Sequence, residues 1–150
     1  DDEWLWGGSL DQILQTLQFG IRSGHPKTRE SAMLAFGKEG VLKKDQIVTV
    51  ANYVRSLSGL STAAGYDAAA GKKLFADNCA SCHGDNGKGN PELGAPDLTD
   101  KIWLYGSDEA TLVETITNGR AGVMPAWVGR LDPSTIKALT VYVHSLGGGK

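Results

Sequence analysis

An all-α fold is the fold class that this sequence of 150 residues predicts. Apolar residues recur at helical spacing in several segments, with polar capping residues before these segments and glycines after them. No segment of any length alternates between apolar and polar residues as a half-buried strand does. Hydrophobic residues make up 41% of the chain and charged residues 21%, which is typical of a folded globular protein. We therefore expect helices joined by long loops.

The first predicted helix begins at Ser9 and ends at Gly20. Ser9 and the glutamine three residues later form a capping box, and a glycine is a common C-terminal stop. A similar helix begins at Ser107 or Asp108 and ends at Gly119, with acidic residues in its first turn, where the helix dipole favours them. Both patterns predict short amphipathic helices.

A further helix is predicted later in each half of the chain. Asp45 begins one of them, and Gly59 ends it. Asp132 caps the other and is followed by Pro133, whose missing N–H costs nothing at the first helical position. The apolar residues of this last helix recur at helical spacing: Ile136, Leu139, Val143 and Leu146.

The chain repeats its own pattern, which predicts two related halves. Trp4 matches Trp103, and Met33 matches Met124. The matching segments are residues 2–9 and 101–107, 33–36 and 124–127, and 51–59 and 141–147. The copies share an architecture rather than close identity. Residues 60–65 are small and polar and form a linker between them.

Both cysteines of the chain lie in Cys79-Ala-Ser-Cys82-His83, at the end of a helical pattern that follows the linker. Cysteines at i and i+3 with histidine at i+4 place three side chains on one face of a helical turn. A c-type haem requires this set, because two thiols form thioethers with the porphyrin vinyl groups and the imidazole binds iron. The alternatives are a disulfide or thioredoxin-like pair, which lacks its βαβ unit here, and a zinc site, for which only His25 and His144 remain.

Met124 is the predicted axial partner of His83 on the iron. It lies in the loop before the last helix, and the following proline stiffens this loop so that a thioether can approach iron in a fixed geometry. A lone methionine can instead be core filler. Ligation by His83 and Met124 fills both axial positions, which suits electron transfer rather than oxygen or peroxide chemistry.

Four other residues are candidates for contact with the haem or its ligands. The carbonyl of Pro96 is the candidate acceptor for the second N–H of His83. Trp103, Tyr105 and Arg120 carry polar tips or charge that can reach haem propionates, although the same residues can be core aromatics and a solvated arginine.

Gly71 and Phe75 lie four residues apart on the helix that leads into the cysteines. They predict that the last helix crosses closely at this point, with Tyr142 packed across the contact. His144, among the apolar positions of that last helix, is predicted to be a surface or packing histidine.

Together these motifs resemble a class I cytochrome c domain. The residues that carry the resemblance are Gly71-x-x-x-Phe75, Cys79-x-x-Cys82-His83, Ala95-Pro96-x-Leu98, Met124-Pro125 and the closing helix with Tyr142. Over nearly all of the chain, the doubled pattern is similar to the di-haem c subunit, or subunit III, of cbb3-type cytochrome c oxidases. This resemblance implies a bacterial terminal oxidase, anchored through an N-terminal helix, with its haem domains on the periplasmic side of the inner membrane.

The chain departs from the family pattern because a family member has two haem-binding motifs and this sequence has one. We therefore interpret residues 1–62 as the rear part of a first cytochrome c domain without its haem-attachment motif, and residues 63–150 as a complete mono-haem domain. By its match to Met124, Met33 resembles the axial ligand of the missing haem. Half a domain can be disordered, can pack against the neighbouring domain, or can be completed by exchange of segments with another chain in a dimer.

The predicted function is single-electron relay through one covalent haem c toward the catalytic subunits of the oxidase, which makes the chain an electron carrier and not an enzyme. The family implies the other oxidase subunits and a donor c-type cytochrome as partners. Two alternatives stay open: a haem enzyme or gas sensor with an open iron site, and a haem-free interaction module with a vestigial motif.

The charge and the apolar pattern limit the other partners. A net charge of −2 with scattered basic residues argues against nucleic-acid binding. No apolar run is long enough to cross a bilayer, so we expect contact with the membrane only through an anchor outside this sequence.

Overall fold

Across residues 4–147, which the computed structural model describes, the chain forms six helices and no β-strand. The helices are α1 (Leu10–Phe19), α2 (Lys44–Leu57), α3 (Ala68–Asn78), α4 (Ala80–His83), α5 (Glu109–Asn118) and α6 (Pro133–Ser145). Isolated β-bridges join loop segments in this part of the chain. The all-α prediction is confirmed.

Side-chain caps explain where the helices begin. Ser9 forms the predicted capping box at α1, because its Oγ accepts from the Gln12 N–H at 3.3 Å while its own N–H donates to Gln12 Oε1 at 3.1 Å. Asp108, rather than Ser107, caps α5. Asp132 caps α6 by accepting from two backbone N–H groups of its first turn. The local sequence therefore determines these starts.

The helix α2 begins at Lys44, one residue before the predicted start at Asp45. The side chain of Gln46 accepts a hydrogen bond of 2.9 Å from the backbone N–H of Lys43, which makes Lys43 the cap. Each repeat therefore contains its predicted second helix, which is α2 in the first repeat and α6 in the second.

The chain divides into two compact units that do not follow the predicted boundary near residue 62. Unit 1 contains the described residues up to Ala32, Pro91–Gly94 and the described residues from Ala121 onward, and so holds α1 and α6. Unit 2 contains Met33–Asn90 and Ala95–Arg120, and so holds α2, α3, α4 and α5. Each unit combines segments from both sequence repeats.

In unit 1, α1 packs against α6. Ile13 of α1 and Ile136 of α6 are buried, and the Trp127 N–H donates to the Leu17 carbonyl at 3.2 Å. Leu146, the last apolar residue of the helical pattern, follows the last residue of α6 and is 52% exposed.

In unit 2, α2 packs against both α3 and α5. These helices and the segment before α2 enclose the apolar core of this unit, which consists of Phe36, Leu42, Ile47, Val50, Ala51, Val54, Phe75, Leu112 and Ile116. One polar residue of α2, Asn52, is fully buried. Its Nδ2 donates to Glu109 Oε2 at 2.7 Å, and its Oδ1 accepts from the Ala63 N–H at 2.7 Å, so it ties α5 and the linker to α2.

The predicted packing of Tyr142 across Gly71 is wrong. A Cβ atom added to Gly71 would lie 2.8 Å from Tyr53 Cβ, and the rings of Tyr53 and Phe75 have centroids 5.4 Å apart. Tyr142 belongs to unit 1 and is 61% exposed. Tyr53 is the residue that matches Tyr142 in the repeat. The pattern therefore predicts that a tyrosine packs at this crossing, but it assigns the contact to the tyrosine of the other repeat.

Candidate functional site

The segment Cys79–His83 lies in unit 2, where α3 passes into α4. The Cys79 N–H donates to the Phe75 carbonyl at 2.8 Å, and the His83 N–H donates to the Cys79 carbonyl at 2.9 Å. Helical hydrogen bonding therefore continues from the core residue Phe75 through the motif. Both cysteines are free and half-buried, and Cys79 packs against the core of unit 2.

The imidazole of His83 is oriented by the backbone of a loop. Its Nδ1 lies 3.1 Å from the carbonyl oxygen of Pro96, which is the contact expected from the sequence. An Nδ1–H that donates to this carbonyl leaves Nε2 with its lone pair available for iron. Burial lowers the pKa of His83 and the bond to Pro96 opposes that shift, so the neutral imidazole that a metal requires is favoured.

The loop that carries Pro96 is itself fixed to the motif. The Gly89 N–H donates to the His83 carbonyl at 2.8 Å, and the Leu98 N–H donates to the Gly87 carbonyl at 2.7 Å. Gly89 has φ +78°, and a Cβ there would lie 2.5 Å from the Ala95 carbonyl oxygen. Only glycine permits the backbone at residue 89 to approach Ala95 this closely. This approach holds the Pro96 carbonyl against the imidazole of His83.

The thiol of Cys79 lacks the lowered pKa of a reactive redox cysteine. Burial, followed by the charge of Cys82, raises the pKa of Cys79 to about 11. Reactive redox cysteines have lowered pKa values, because the thiolate is the nucleophile. The described residues also contain no cluster of three or more His, Cys, Asp or Glu side chains that could hold a metal ion. The raised pKa of Cys79 weighs against the thioredoxin-like alternative.

A buried donor in unit 2 supports the presence of a carboxylate-bearing group. Trp103 packs against the same core as Cys79, and its Nε1 is buried without a hydrogen-bond partner among residues 4–147. An unsatisfied buried donor costs about 1–3 kcal/mol, so an acceptor is expected at this position. A haem propionate is such an acceptor, and the residues of unit 2 therefore fit a haem.

Arg120 is the cation that the sequence analysis names as a candidate for contact with a haem propionate. Its guanidinium lies over the Tyr105 ring, 3.9 Å from the centroid, and its Nη2 donates to Thr115 Oγ1 at 2.6 Å. These contacts hold the arginine side chain in one orientation while the ring of Tyr105 stays 56% exposed. Both residues belong to unit 2, with Cys79 and His83.

The two methionines belong to different units. Met33 lies in unit 2, where its N–H donates to the Arg120 carbonyl at 3.0 Å and its side chain packs against the core. Met124 lies in unit 1, where it forms reciprocal backbone hydrogen bonds of 2.9 Å with Ile21. Met124 also lines an apolar cavity of about 320 Å³ with Trp4, Leu5, Trp6, Gly7, Ile13, Thr16, Leu17 and Val143.

Of the predicted site residues, the structure therefore groups seven in unit 2: Cys79, Cys82, His83, Pro96, Trp103, Tyr105 and Arg120. The predicted axial residue Met124 is not among them. The match between Met33 and Met124 is the sequence signal that identifies the methionine found in unit 2 instead.

No helix between residues 4 and 147 is both long and apolar enough to span a membrane.

Comparison with known proteins identifies the family. Residues 66–143 match the family model described as cytochrome C oxidase, cbb3-type, subunit III. Over all of its 150 residues, the chain is 80% identical to a cbb3-type cytochrome c oxidase subunit FixP of Bradyrhizobium sp. strain ORS 278 and 78% identical to that of Bradyrhizobium diazoefficiens. It is 55% identical to a subunit CcoP of Azospirillum brasilense.

The chain spans about half the length of these curated relatives, with coverage of 52%, 52% and 53%. Their names identify components of a respiratory oxidase complex, and a cytochrome c domain is an electron-transport domain that carries covalently bound haem. Both the family model and the relatives agree with the motifs on which the resemblance was based. The chain is a member of the cbb3-type cytochrome c oxidase subunit III family.

Proposed function

We propose that this chain relays single electrons through one c-type haem toward the catalytic subunits of a cbb3-type oxidase. The observation that carries the proposal is the set of two free thiols and one oriented, neutral imidazole at Cys79, Cys82 and His83. The proposal makes the chain an electron carrier within an oxidase, not an enzyme in its own right.

Each residue of the site has a distinct proposed role. Cys79 and Cys82 would attach the haem covalently, and His83 would bind its iron through Nε2. Pro96 fixes the tautomer and the orientation of His83 through the contact of 3.1 Å. Bound haem supplies reversible one-electron chemistry at its iron. Trp103 supplies its unsatisfied N–H to a propionate.

Two further proposed contacts complete the haem environment. Arg120, held by Thr115 and Tyr105, provides positive charge for the second propionate. The sixth ligand is proposed to be a methionine thioether, which raises the reduction potential and closes the iron to small ligands. Met124 is the candidate from the sequence, and Met33 is the candidate that shares a unit with His83.

The biological setting is proposed from the family. The partners are the other oxidase subunits and a donor c-type cytochrome, and the site faces the periplasm at the inner membrane. The proposed domain history assigns residues 1–62 to a first cytochrome c domain and residues 63–150 to a second, mono-haem domain. Exchange of segments between such domains, within a chain or in a dimer, is consistent with units that mix the two repeats.

The test is the haem content of protein matured with its haem-attachment machinery. We expect the pyridine haemochrome spectrum of a c-type haem, at one haem per chain, that survives acidic organic extraction. The variant with both Cys79→Ser and Cys82→Ser is expected to lose covalent haem, whereas Ser81→Ala, between the cysteines and exposed, is expected to keep it. Colourless wild-type protein, or extractable haem, would contradict the proposal.

An open iron site is the second candidate function, because the predicted ligand Met124 lies in the other unit. A haem enzyme or gas sensor binds carbon monoxide in its native reduced state, whereas an iron with both axial positions filled resists it. Rapid carbon monoxide binding by the folded wild-type protein would favour this second function over electron relay.

A further inference from the structure

We propose that Met33 supplies the sixth ligand to the haem of Cys79, Cys82 and His83 in this chain, through an exchange of equivalent segments between the two repeats. The inference rests on the proposed function, since it requires a haem at this motif. It assigns to Met33 a role that the sequence pattern assigns to Met124.

The backbone pairing of the two methionine loops is crossed. Gly20 matches Gly119 in the repeat, so Ile21 matches Arg120. An unexchanged repeat pairs Ile21 with Met33 and pairs Arg120 with Met124. The structure instead pairs Ile21 with Met124 and Arg120 with Met33, each through antiparallel bridges. Both crossed pairs are present, so the exchange is reciprocal.

The helices that follow these loops are crossed in the same way. In unit 1, the α1 helix of the first repeat packs against α6 of the second. In unit 2, the α5 helix of the second repeat packs against α2 of the first. Tyr53 of α2 packs against Gly71 and Phe75 of α3, which is the contact predicted for Tyr142. The Met33 loop and α2 thus complete unit 2 as one segment.

Met33 has the fixed setting that an axial thioether needs. Its N–H and carbonyl bond to the carbonyl and N–H of Arg120 at 3.0 and 3.3 Å. Its half-buried side chain packs against the core that Cys79 and Trp103 also contact. Gly119 allows the approach, because its φ is +69° and a Cβ there would lie 2.4 Å from the Met33 carbonyl oxygen.

The test compares Met33→Leu with Met124→Leu in the haem-loaded chain of 150 residues. Leucine keeps the volume and apolar character of methionine but lacks the thioether, so packing changes little in either variant. Ferric haem with an axial methionine shows a weak red sulfur-to-iron absorption band. In the reduced protein, the axial methionine methyl group gives a ring-shifted proton resonance. Both signals are read on the monomeric fraction, and haem content is measured by haemochrome spectrum.

We expect Met33→Leu to abolish both signals and to open the reduced protein to carbon monoxide, with haem content unchanged. Met124→Leu is expected to retain both signals. Loss of the signals in Met124→Leu alone, or their retention in Met33→Leu, would overturn the inference. These outcomes leave the proposed function intact, because that function fails only if the wild-type chain carries no covalent haem or has an open iron.

Discussion

Gly119 is the residue on which the position of the Met33 loop depends. Its φ of +69° lies in the left-handed region, and an added Cβ would meet the backbone of Met33 and Leu34 at 2.4 and 2.9 Å. Backbone atoms cannot move aside as a flexible side chain can. We expect Gly119→Ala to lower the free energy of unfolding of the haem-loaded protein by about 1–3 kcal/mol and to weaken the ferric methionine band. Denaturant unfolding followed by haem absorbance measures the first effect.

Gly20→Ala is the matched control for this prediction. Gly20 occupies the equivalent position in unit 1, with φ +66° and a virtual Cβ 2.1 Å from the Met124 carbonyl oxygen. The strain is therefore similar, but it acts on the loop of the other methionine. The ferric methionine band should persist in Gly20→Ala. A band that disappears in Gly20→Ala and persists in Gly119→Ala would show that Met124 is the ligand.

Asp132 makes the start of α6 sensitive to acid. Hydrogen bonds from the side chains of Ser134 and Thr135, and from their backbone N–H groups, hold the pKa of this carboxyl well below its usual range. Because the pKa of Asp132 is lower in the folded state, the unfolded chain binds a proton at this carboxyl more readily than the folded chain does. This difference acts once the pH falls below the ordinary pKa of about 3.9. The stabilisation is complete above that value and is lost as the pH falls toward the native pKa.

We expect amide-exchange protection in the first turn of α6 to fall as wild-type protein is acidified below about pH 4. Asp132→Asn keeps an acceptor at the N-cap but has no carboxyl to titrate, so its protection should not show this dependence. Equal acid dependence in the two proteins would mean that the Asp132 carboxylate contributes nothing to the cap.

At the scale of the elements, local chemistry determines where each helix begins but not which helix it packs against. Ser9, Asp108 and Asp132 act on their own first turns, so their caps could be predicted from neighbouring residues alone. The tyrosine that packs against Gly71 and Phe75 could not be predicted from neighbouring residues, because Tyr53 and Tyr142 lie in similar helices. Choosing between them requires the tertiary packing of both.

This choice of helix is testable by two matched substitutions. Tyr53 is half-buried and stacks at a tilt on Phe75, so Tyr53→Ala removes an aromatic contact at the α2–α3 crossing. We expect it to destabilise the protein by roughly 2–4 kcal/mol. Tyr142 is 61% exposed, and Tyr142→Ala should change stability by less than about 0.5 kcal/mol. Denaturant unfolding measures both, and a larger loss for Tyr142→Ala would show that α6 makes the crossing.

In the candidate site, too, the part set by local sequence could be predicted, and the part set by tertiary packing could not. The thiols, His83 and Pro96 lie within a short stretch of chain, and their spacing alone brings them together. Met33 is remote in sequence from His83, and its match to Met124 indicates only that the two residues are equivalent. In our proposal, the methionine that joins His83 is the one whose following helix, α2 or α6, packs against α3.

At the scale of the whole molecule, chain connectivity favours α2 over α6 as the partner of α3, when this one contact is considered alone. Residues 58–67 join α2 to α3, whereas residues 79–132 separate α3 from α6. A shorter loop loses less entropy on closure, and this difference in length favours the α2–α3 pair by roughly 1.5 kcal/mol. The linker adds contacts of its own, because Arg55 Nε donates to the Ser61 carbonyl at 2.9 Å. For this one contact, the helix nearer to α3 in the sequence therefore has the advantage.

Removing the nearer helix should therefore reverse the outcome. A shortened chain of residues 63–150 retains the cysteines, His83, Met124 and α6 but lacks both Met33 and α2. If residues 63–150 form a complete domain, as the repeat predicts, α6 will take the position of α2 and Met124 will become the sixth ligand. We expect the shortened chain to keep its covalent haem and a ferric methionine band that Met124→Leu abolishes, while the band of the whole chain depends on Met33. Absorption and carbon monoxide binding of both matured proteins provide the measurement. A shortened chain that attaches haem but shows no methionine band would mean that α6 cannot replace α2, and that the second repeat is not a domain on its own.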